Sequence, residues 1–155
     1  MHPFTAKRPP QLAWLLGLAG LIPFVSGALG VWVTPAGWRT LVLEALLDYA
    51  ALILAFMGAI HWGLALRGES GDLRTQLQLG LSVIPPLLGW LAIAFGVPAL
   101  LAIPLLLLSF VGLYLADLRA IALGLAPVWY ARLRLPLTLI VSLSLLVAWA
   151  GVWRG

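Results

Sequence analysis

The sequence contains no cysteine and very few charged side chains. Of its 155 residues, 9% are charged and 63% are hydrophobic. The lack of cysteine excludes disulfides, thiolate nucleophiles, iron–sulfur clusters and zinc sites built on Cys. An ordinary soluble domain has about 25% charged residues, so the charges present cannot cover a soluble globule of this size. The composition therefore excludes a soluble enzyme, a disordered chain and a fibrous repeat, and it indicates an integral membrane protein.

Motifs of common enzymes and metal sites are missing as well. The two histidines, His2 and His61, form no HExxH or His-x-x-x-His pair, and there is no Gly-rich phosphate loop, GxSxG elbow or Walker sequence. We therefore expect no metal and no cofactor, and the sequence favours a protein that is not an enzyme. The net charge of +4 comes from Lys and Arg scattered at the ends of apolar runs, so nucleic-acid binding is not expected.

Five apolar runs are long enough to cross a bilayer. A hydrocarbon core of about 30 Å needs about 20 apolar residues in a helix. Open strands cannot cross lipid, and the runs lack the alternating pattern of a barrel. The sequence predicts one all-α membrane domain, a bundle of five transmembrane helices with kinks at Pro23, Pro85-Pro86 and Pro104. The predicted spans cover about residues 12–33, 41–66, 76–95, 97–116 and 135–153.

The segments outside the spans are short. The third and fourth spans are joined only by Gly96-Val97-Pro98, which predicts a tight hairpin. The longest connection contains an apolar stretch, from which we expect a short interfacial helix over residues 118–126. The N-terminal residues also fit the start of a signal peptide, but the apolar run from Leu12 to Val33 is long enough to remain as the first span.

Lys and Arg are distributed unequally between the two ends of the predicted bundle. By the positive-inside rule, this places the N-terminus in the cytoplasm and the C-terminus outside. The expected location is a bacterial inner membrane, or a mitochondrial membrane in a eukaryote. The eight tryptophans fall near the ends of the spans, as in an aromatic belt. The predicted cytoplasmic end carries Lys7, Arg8, Arg67, Arg74, Arg119, Arg132 and Arg134, and the predicted outer end carries Arg39 and Arg154.

The second span carries three ionisable residues, Glu44, Asp48 and His61. At about 100° per residue, Glu44 and Asp48 share a face, whereas His61 lies about 140° from Asp48 and about 20 Å further along the axis. A partner for His61 must therefore come from another helix. Ala51, in a four-residue repeat of small residues, lies within about 60° of Asp48, so we expect Asp48 to face the bundle.

Two adjacent prolines in the third span suggest a pocket. The pair Pro85-Pro86 interrupts the helix, and broken helices can line binding sites in membrane proteins. Proline is also common in membrane helices where it only shapes packing, and that alternative stays open. The candidate pocket consists of Asp48, Trp62, Pro85 and Trp90.

Several blocks of the chain resemble a known family. They are Leu16–Phe24, Tyr49–Leu66 with His61-Trp62-Gly63, Pro85–Trp90, and Trp129–Thr138 together with Asp117. Over about residues 10–150 the chain resembles the domain-of-unknown-function 3429 family, whose eukaryotic members include transmembrane protein 69. The resemblance implies a small multi-span membrane protein and supplies no reaction. The second proline of Pro85-Pro86 departs from the pattern.

The family-like polar residues converge on the predicted inner end of the bundle. His61 approaches that end in the second span, Asp117 follows the fourth, and Arg132 and Arg134 precede the fifth. We hypothesise that these four form a polar network there. The alternative is that Asp117 pairs with a nearby arginine to anchor the loop, while the other arginines meet lipid phosphates.

Three functional hypotheses remain. The first is a non-enzymatic accessory or assembly factor, with the lipid bilayer, a membrane protein or a second copy as partner. The alternative is a binder or carrier of a small apolar molecule or lipid. The third is an enzyme in which His61 and Asp117 act on a lipid headgroup, which requires the two groups to lie within hydrogen-bond reach.

Overall fold

The computed structural model describes residues 8–68 and 71–154. His2 and Lys7 lie outside the described residues. The described chain is helical, and its longer helices are joined by short turns. The helices are α1 (Gln11–Ala19), α2 (Ile22–Val33), α3 (Ala36–Ala65), α4 (Leu73–Ile93), α5 (Ala99–Ala122) and α6 (Val128–Val152).

Five of the described segments are long and apolar enough to cross a membrane, which confirms the predicted five-helix bundle. They are Gln11–Val33, Ala36–Ala65, Leu73–Gly96, Ala99–Ala122 and Val128–Val152. The first consists of α1 and α2 together. Several helices extend further toward the predicted inner end than the apolar runs do. These extensions include the polar residues Asp117 and Arg119 in α5 and Arg132 and Arg134 in α6.

The first span is interrupted one turn before Pro23. That proline lies at the start of α2, and α1 ends at Ala19. Proline lacks an N–H, so it cannot bond to the carbonyl four residues earlier. Pro85, Pro86 and Pro104, by contrast, lie inside helices that continue through them.

The structure contradicts the expected interfacial helix over residues 118–126. Residues 118–122 are instead the last turn of α5, and a short turn with Gly124 at φ 73° leads to Pro127, which precedes α6. An apolar stretch next to a span fits a continued helix as well as an interfacial one. Here the helix continues until glycine provides the left-handed conformation.

The core lies where α2, α3, α5 and α6 meet. Phe24 is almost fully buried and packs edge to face against Tyr49 and Phe110, with ring centroids 5.2 and 5.9 Å apart. The Tyr49 hydroxyl donates a hydrogen bond to the Gly20 carbonyl at 3.0 Å. This bond ties α3 to the interruption between α1 and α2, where a backbone acceptor would otherwise lack a partner.

The small-residue repeat of α3 does not follow its buried face. Ala51 is buried, but Ala59 and Gly63 are exposed. A spacing of four residues turns about 40° too far at each step of a helix with 3.6 residues per turn, so the repeat rotates away from the neighbouring helices. The buried face of α3 combines steps of three and four and includes Leu47, Ala51, Leu54, Gly58, His61 and Ala65.

Gly58 allows α3 and α4 to pack closely. A Cβ at this position would lie 2.7 Å from the Ser82 carbonyl oxygen and 3.0 Å from Cδ of Pro86. Pro86 has no N–H to donate to that carbonyl. The backbone of Gly58 therefore packs against the Ser82 carbonyl, an acceptor that has no partner at Pro86 within α4.

Substitution of Gly58 by Ala should destabilise the bundle, because the added methyl group meets backbone and a rigid proline ring. Overpacking of this kind costs about 1–3 kcal/mol. Gly63→Ala is the matched control, since no atom lies within 4 Å of its Cβ position. The free energy of unfolding in mixed micelles would measure both variants. Equal stability of the two would contradict the close approach of α3 and α4.

Candidate functional site

A buried carboxylate is shared by a histidine and an arginine from two other helices. Asp117 of α5 accepts a hydrogen bond from His61 Nε2 of α3 at Oδ1, 2.9 Å away, and one from Arg134 Nε of α6 at Oδ2, 2.7 Å away. The three residues are 2%, 1% and 3% exposed, respectively. Both oxygens of the carboxylate are thus engaged, and three helices are linked through one side chain. We call these residues the inner triad.

The ends of the helices place the inner triad inside the bundle rather than at its rim. His61 precedes the end of α3 by about 6 Å, and Asp117 precedes the end of α5 by about 8 Å, at 1.5 Å per residue. Arg134 follows the start of α6 by about 9 Å. The charges therefore lie one to two turns below the end of the bundle, where they need partners to be tolerated.

The hydrogen bond to Asp117 determines which ring nitrogen of His61 carries the hydrogen. A carboxylate paired with arginine accepts hydrogen bonds and has none to donate. The hydrogen of the His61–Asp117 bond must therefore be on Nε2 of His61. Its Nδ1 is buried and has no hydrogen-bond partner among the described residues.

Other buried polar atoms near this end were missed in the sequence. Tyr130 and Thr138 lie four residues before and after Arg134, on the same face of α6, and their hydroxyls are buried without a described partner. The Nε2 of Gln78 in α4 is likewise buried and unpaired. The four-residue spacing on α6 was the available signal. The sequence gives no such signal for Gln78, because its burial is seen only once α4 is packed on α3.

Arg132, the fourth member of the hypothesised network, is on the same helix as Arg134 but on a different face of it. It is exposed, and at about 100° per residue it points about 200° away from Arg134. The structure therefore brings together His61, Asp117 and Arg134, and it places Arg132 on the other side of α6.

The structure does not bring the candidate pocket residues together. Asp48, Trp62 and Trp90 are exposed. The prediction that Asp48 faces the bundle is therefore wrong. It was based on the small-residue repeat of α3, which rotates away from the neighbouring helices. Pro85 is buried and lines a separate cavity of about 240 Å³ between α4 and α5. We call this cavity the α4–α5 groove.

The geometry of the inner triad suits a structural tie better than catalysis. His61 and Asp117 lie within the reach that acid–base chemistry requires, but both are almost fully buried, and neither lines the α4–α5 groove. Among the described residues, no three His, Asp or Glu side chains are grouped so as to hold a metal ion.

Comparison with known proteins identifies the family. The profile of the family described as "Protein of unknown function (DUF3429)" matches residues 9–150. The chain belongs to this family. It is similar to transmembrane protein 69 of Xenopus tropicalis, with 38% identity over 140 residues, and of Mus musculus, with 33% identity over 138 residues. No solved structure matches the chain.

These matches confirm the resemblance seen in the sequence. They cover 90% and 89% of this chain but 54% and 55% of the two relatives, so the chain spans about half the length of the curated relatives it matches. Together with the five spans, membership in the DUF3429 family makes this a multi-pass integral membrane protein of unknown function.

Removal of one charge from the inner triad should be worse than removal of two. Asp117→Leu leaves Arg134 buried without a counter-ion, and breaking a buried pair in this way costs about 3–5 kcal/mol. The double variant Asp117→Leu/Arg134→Leu removes both charges and should recover part of the loss. Unfolding in mixed micelles would measure the two variants, with Glu44→Gln, an exposed site on α3, as the control. A double variant less stable than Asp117→Leu would contradict the pairing.

Proposed function

We propose that the protein is a non-enzymatic accessory or assembly factor whose α3 binds a transmembrane helix of another membrane protein. The observation that carries this proposal is the exposure of Asp48 on α3, within a membrane span. A carboxylate that faces lipid is unfavourable, and its exposure therefore indicates a surface that is covered in the membrane.

The depth of Asp48 makes lipid an unsuitable neighbour. The 30 residues of α3 extend for about 45 Å, and Asp48 lies about 18 Å from Ala36. If α3 is centred on a hydrocarbon core of about 30 Å, this carboxylate lies about 10 Å inside it. An acidic group at the centre of a transmembrane helix costs about 2.5–3.5 kcal/mol on insertion scales. Aspartate is also too short to reach the headgroups from that depth.

The surroundings of Asp48 are suited to another helix. Glu44, Ala45, Ala59 and Gly63 are exposed and lie within about 60° of Asp48 around the helix. No atom lies within 4 Å of the Cβ position of Gly63. Small residues let two helices approach closely, and a polar group can then bond across the interface. The expected partner helix carries a basic or hydrogen-bond-donating side chain opposite Asp48.

A photo-crosslinking amino acid at Leu52 should capture the partner. Leu52 is 68% exposed and lies about 40° from Asp48 around α3. Leu139 on α6 is 60% exposed and serves as the matched lipid-facing control. In membranes of the native host, we expect a crosslinked band of discrete mass containing a different protein at Leu52 and none at Leu139. Asp48→Leu should reduce that band several-fold.

Two results would contradict the accessory role. Crosslinking at Leu52 and Leu139 to the same background of proteins would show that the α3 face is not a specific surface. A Leu52 product containing only two copies of this chain would show that the face joins the protein to itself.

The α4–α5 groove favours a second candidate, the binding of an apolar molecule. It is lined almost entirely by apolar side chains, including Pro85, Leu105 and Leu113. Its volume of about 240 Å³ is below the roughly 300–1,000 Å³ of small-molecule sites. The groove therefore suits part of an acyl chain better than a compact ligand. Trp90 does not line it.

Gly112→Phe tests this candidate. Gly112 lines the groove and has no atom within 4 Å of its Cβ position, so the ring should fill the groove without a backbone clash. Mass spectrometry of molecules extracted from the purified protein should show a several-fold lower amount of bound apolar molecule. Gly80→Phe is the control, since its Cβ position is equally open and outside the groove. An equal amount in both variants would reject the groove as a binding site.

We also propose the orientation that the positive-inside rule predicts, with Arg67, Arg119 and Arg134 at the cytoplasmic or matrix end. The absence of cysteine makes labelling direct. An impermeant maleimide should label Gly37→Cys in intact cells or mitoplasts and Leu123→Cys only after permeabilisation. The reverse pattern would contradict the orientation.

A further inference from the structure

Two arginines that are far apart in the sequence meet at the end of the bundle opposite the inner triad. Arg39 lies in the first turn of α3, and Arg154 follows the end of α6. Both line a cavity of about 150 Å³ together with Val31, Trp32 and Gly151. This cavity, the outer arginine pocket, has no acidic residue in its lining.

The charges of the outer arginine pocket are not balanced by the described residues. The Nε of Arg39 is buried without a hydrogen-bond partner. The guanidinium of Arg154 lies over the ring of Trp32, 4.9 Å from its centroid, and neither arginine is in a described ion pair. Two cations that face one small cavity repel each other, and a buried guanidinium N–H without an acceptor is unfavourable. An anion in the cavity would remove both penalties.

The walls of the pocket are held in place by specific contacts. The indole Nε1 of Trp32 donates a hydrogen bond to the Val147 carbonyl at 3.0 Å. Gly151 permits the close approach of α2 and α6, since a Cβ there would lie 2.7 Å from Cγ1 of Val31. The ring that supports Arg154 is thus fixed between two helices, and the pocket does not depend on loop conformation.

The position of the pocket selects the kind of anion. Its residues come from the end of α2, the start of α3 and the end of α6, all of which are membrane spans. Trp38 and Trp153, two exposed indoles, flank Arg39 and Arg154 in the sequence, and tryptophan favours the depth of lipid headgroups. Guanidinium groups bind phosphate through paired hydrogen bonds, and the start of α3 adds the positive end of a helix dipole.

We propose that Arg39 and Arg154 form a binding site for a phosphate group, supplied by the headgroup of an anionic phospholipid. The planar donors of Arg39 reach the phosphate from the side of α3. Arg154, held over Trp32, closes the site from the side of α6. This site is independent of the proposed docking surface around Asp48 on α3. Arg39 and Arg154 lie at the end of the bundle, away from that surface, and the site needs no partner protein.

Native mass spectrometry of the delipidated protein tests the proposal. The protein in mild detergent is titrated with phosphatidylglycerol in one arm and with inorganic phosphate in the other. We expect a one-to-one phosphatidylglycerol adduct that weakens as ionic strength rises. Arg39→Gln/Arg154→Gln should reduce the adduct at least fivefold, and Arg39→Lys should reduce it less, because the charge is kept and the paired geometry is lost.

Arg119→Gln is the matched control, since Arg119 is exposed at the opposite end of the bundle. It removes one positive charge and should leave the adduct unchanged. The single variant Arg154→Gln is included in case the double variant misfolds. Arg154 is exposed beyond the end of α6, so its substitution should leave the fold intact and still weaken binding.

The two arms distinguish the sources of the phosphate. An arginine-dependent adduct with inorganic phosphate and none with the lipid would support a phosphate site while overturning the headgroup as its ligand. An adduct of equal intensity in the wild type and the double variant would overturn the site. Equal losses in Arg119→Gln and Arg154→Gln would do the same, since they would show only general charge attraction.

Discussion

The bundle is organised around the shared carboxylate of Asp117. This one side chain accepts hydrogen bonds from His61 of α3 and Arg134 of α6 at its two oxygens, 2.9 and 2.7 Å away. A charge that is buried in a membrane protein needs a partner of fixed geometry. Each of the three helices is therefore held in register and rotation relative to the other two, and α4 packs closely against α3 at Gly58.

Charged side chains of the described residues lie both in the buried inner triad and on the surface of the bundle. His61 and Asp117, the pair considered for acid–base chemistry, are almost fully buried in the inner triad. Glu44 and Asp48 on α3 are exposed within a candidate membrane span and lie beside exposed small residues. This exposed acidic face of α3 is the surface that we propose binds another membrane protein.

Composition and hydropathy were enough to predict the fold class, the five spans and their order. The convergence of His61, Asp117 and Arg134 was also predictable, because each lies near the same end of its span. Three features were not. The direction of Asp48 depends on rotation about α3, and a four-residue repeat misses that angle by about 40° at each step. The residues 118–126 are apolar enough for either a continued or an interfacial helix. The approach of Arg39 to Arg154 depends on how α3 and α6 pack.

The most direct test of this account is the state of the His61 imidazole in the folded protein. Nitrogen-15 NMR of protein labelled at histidine, with His2→Gln so that His61 is the one labelled imidazole, reports which ring nitrogen carries the hydrogen and how fast it exchanges. We expect a hydrogen on Nε2 that exchanges slowly with D₂O, and we expect the ring nitrogen signals to change in Asp117→Asn. A hydrogen on Nδ1, or rapid exchange in the intact bundle, would contradict the sealed triad.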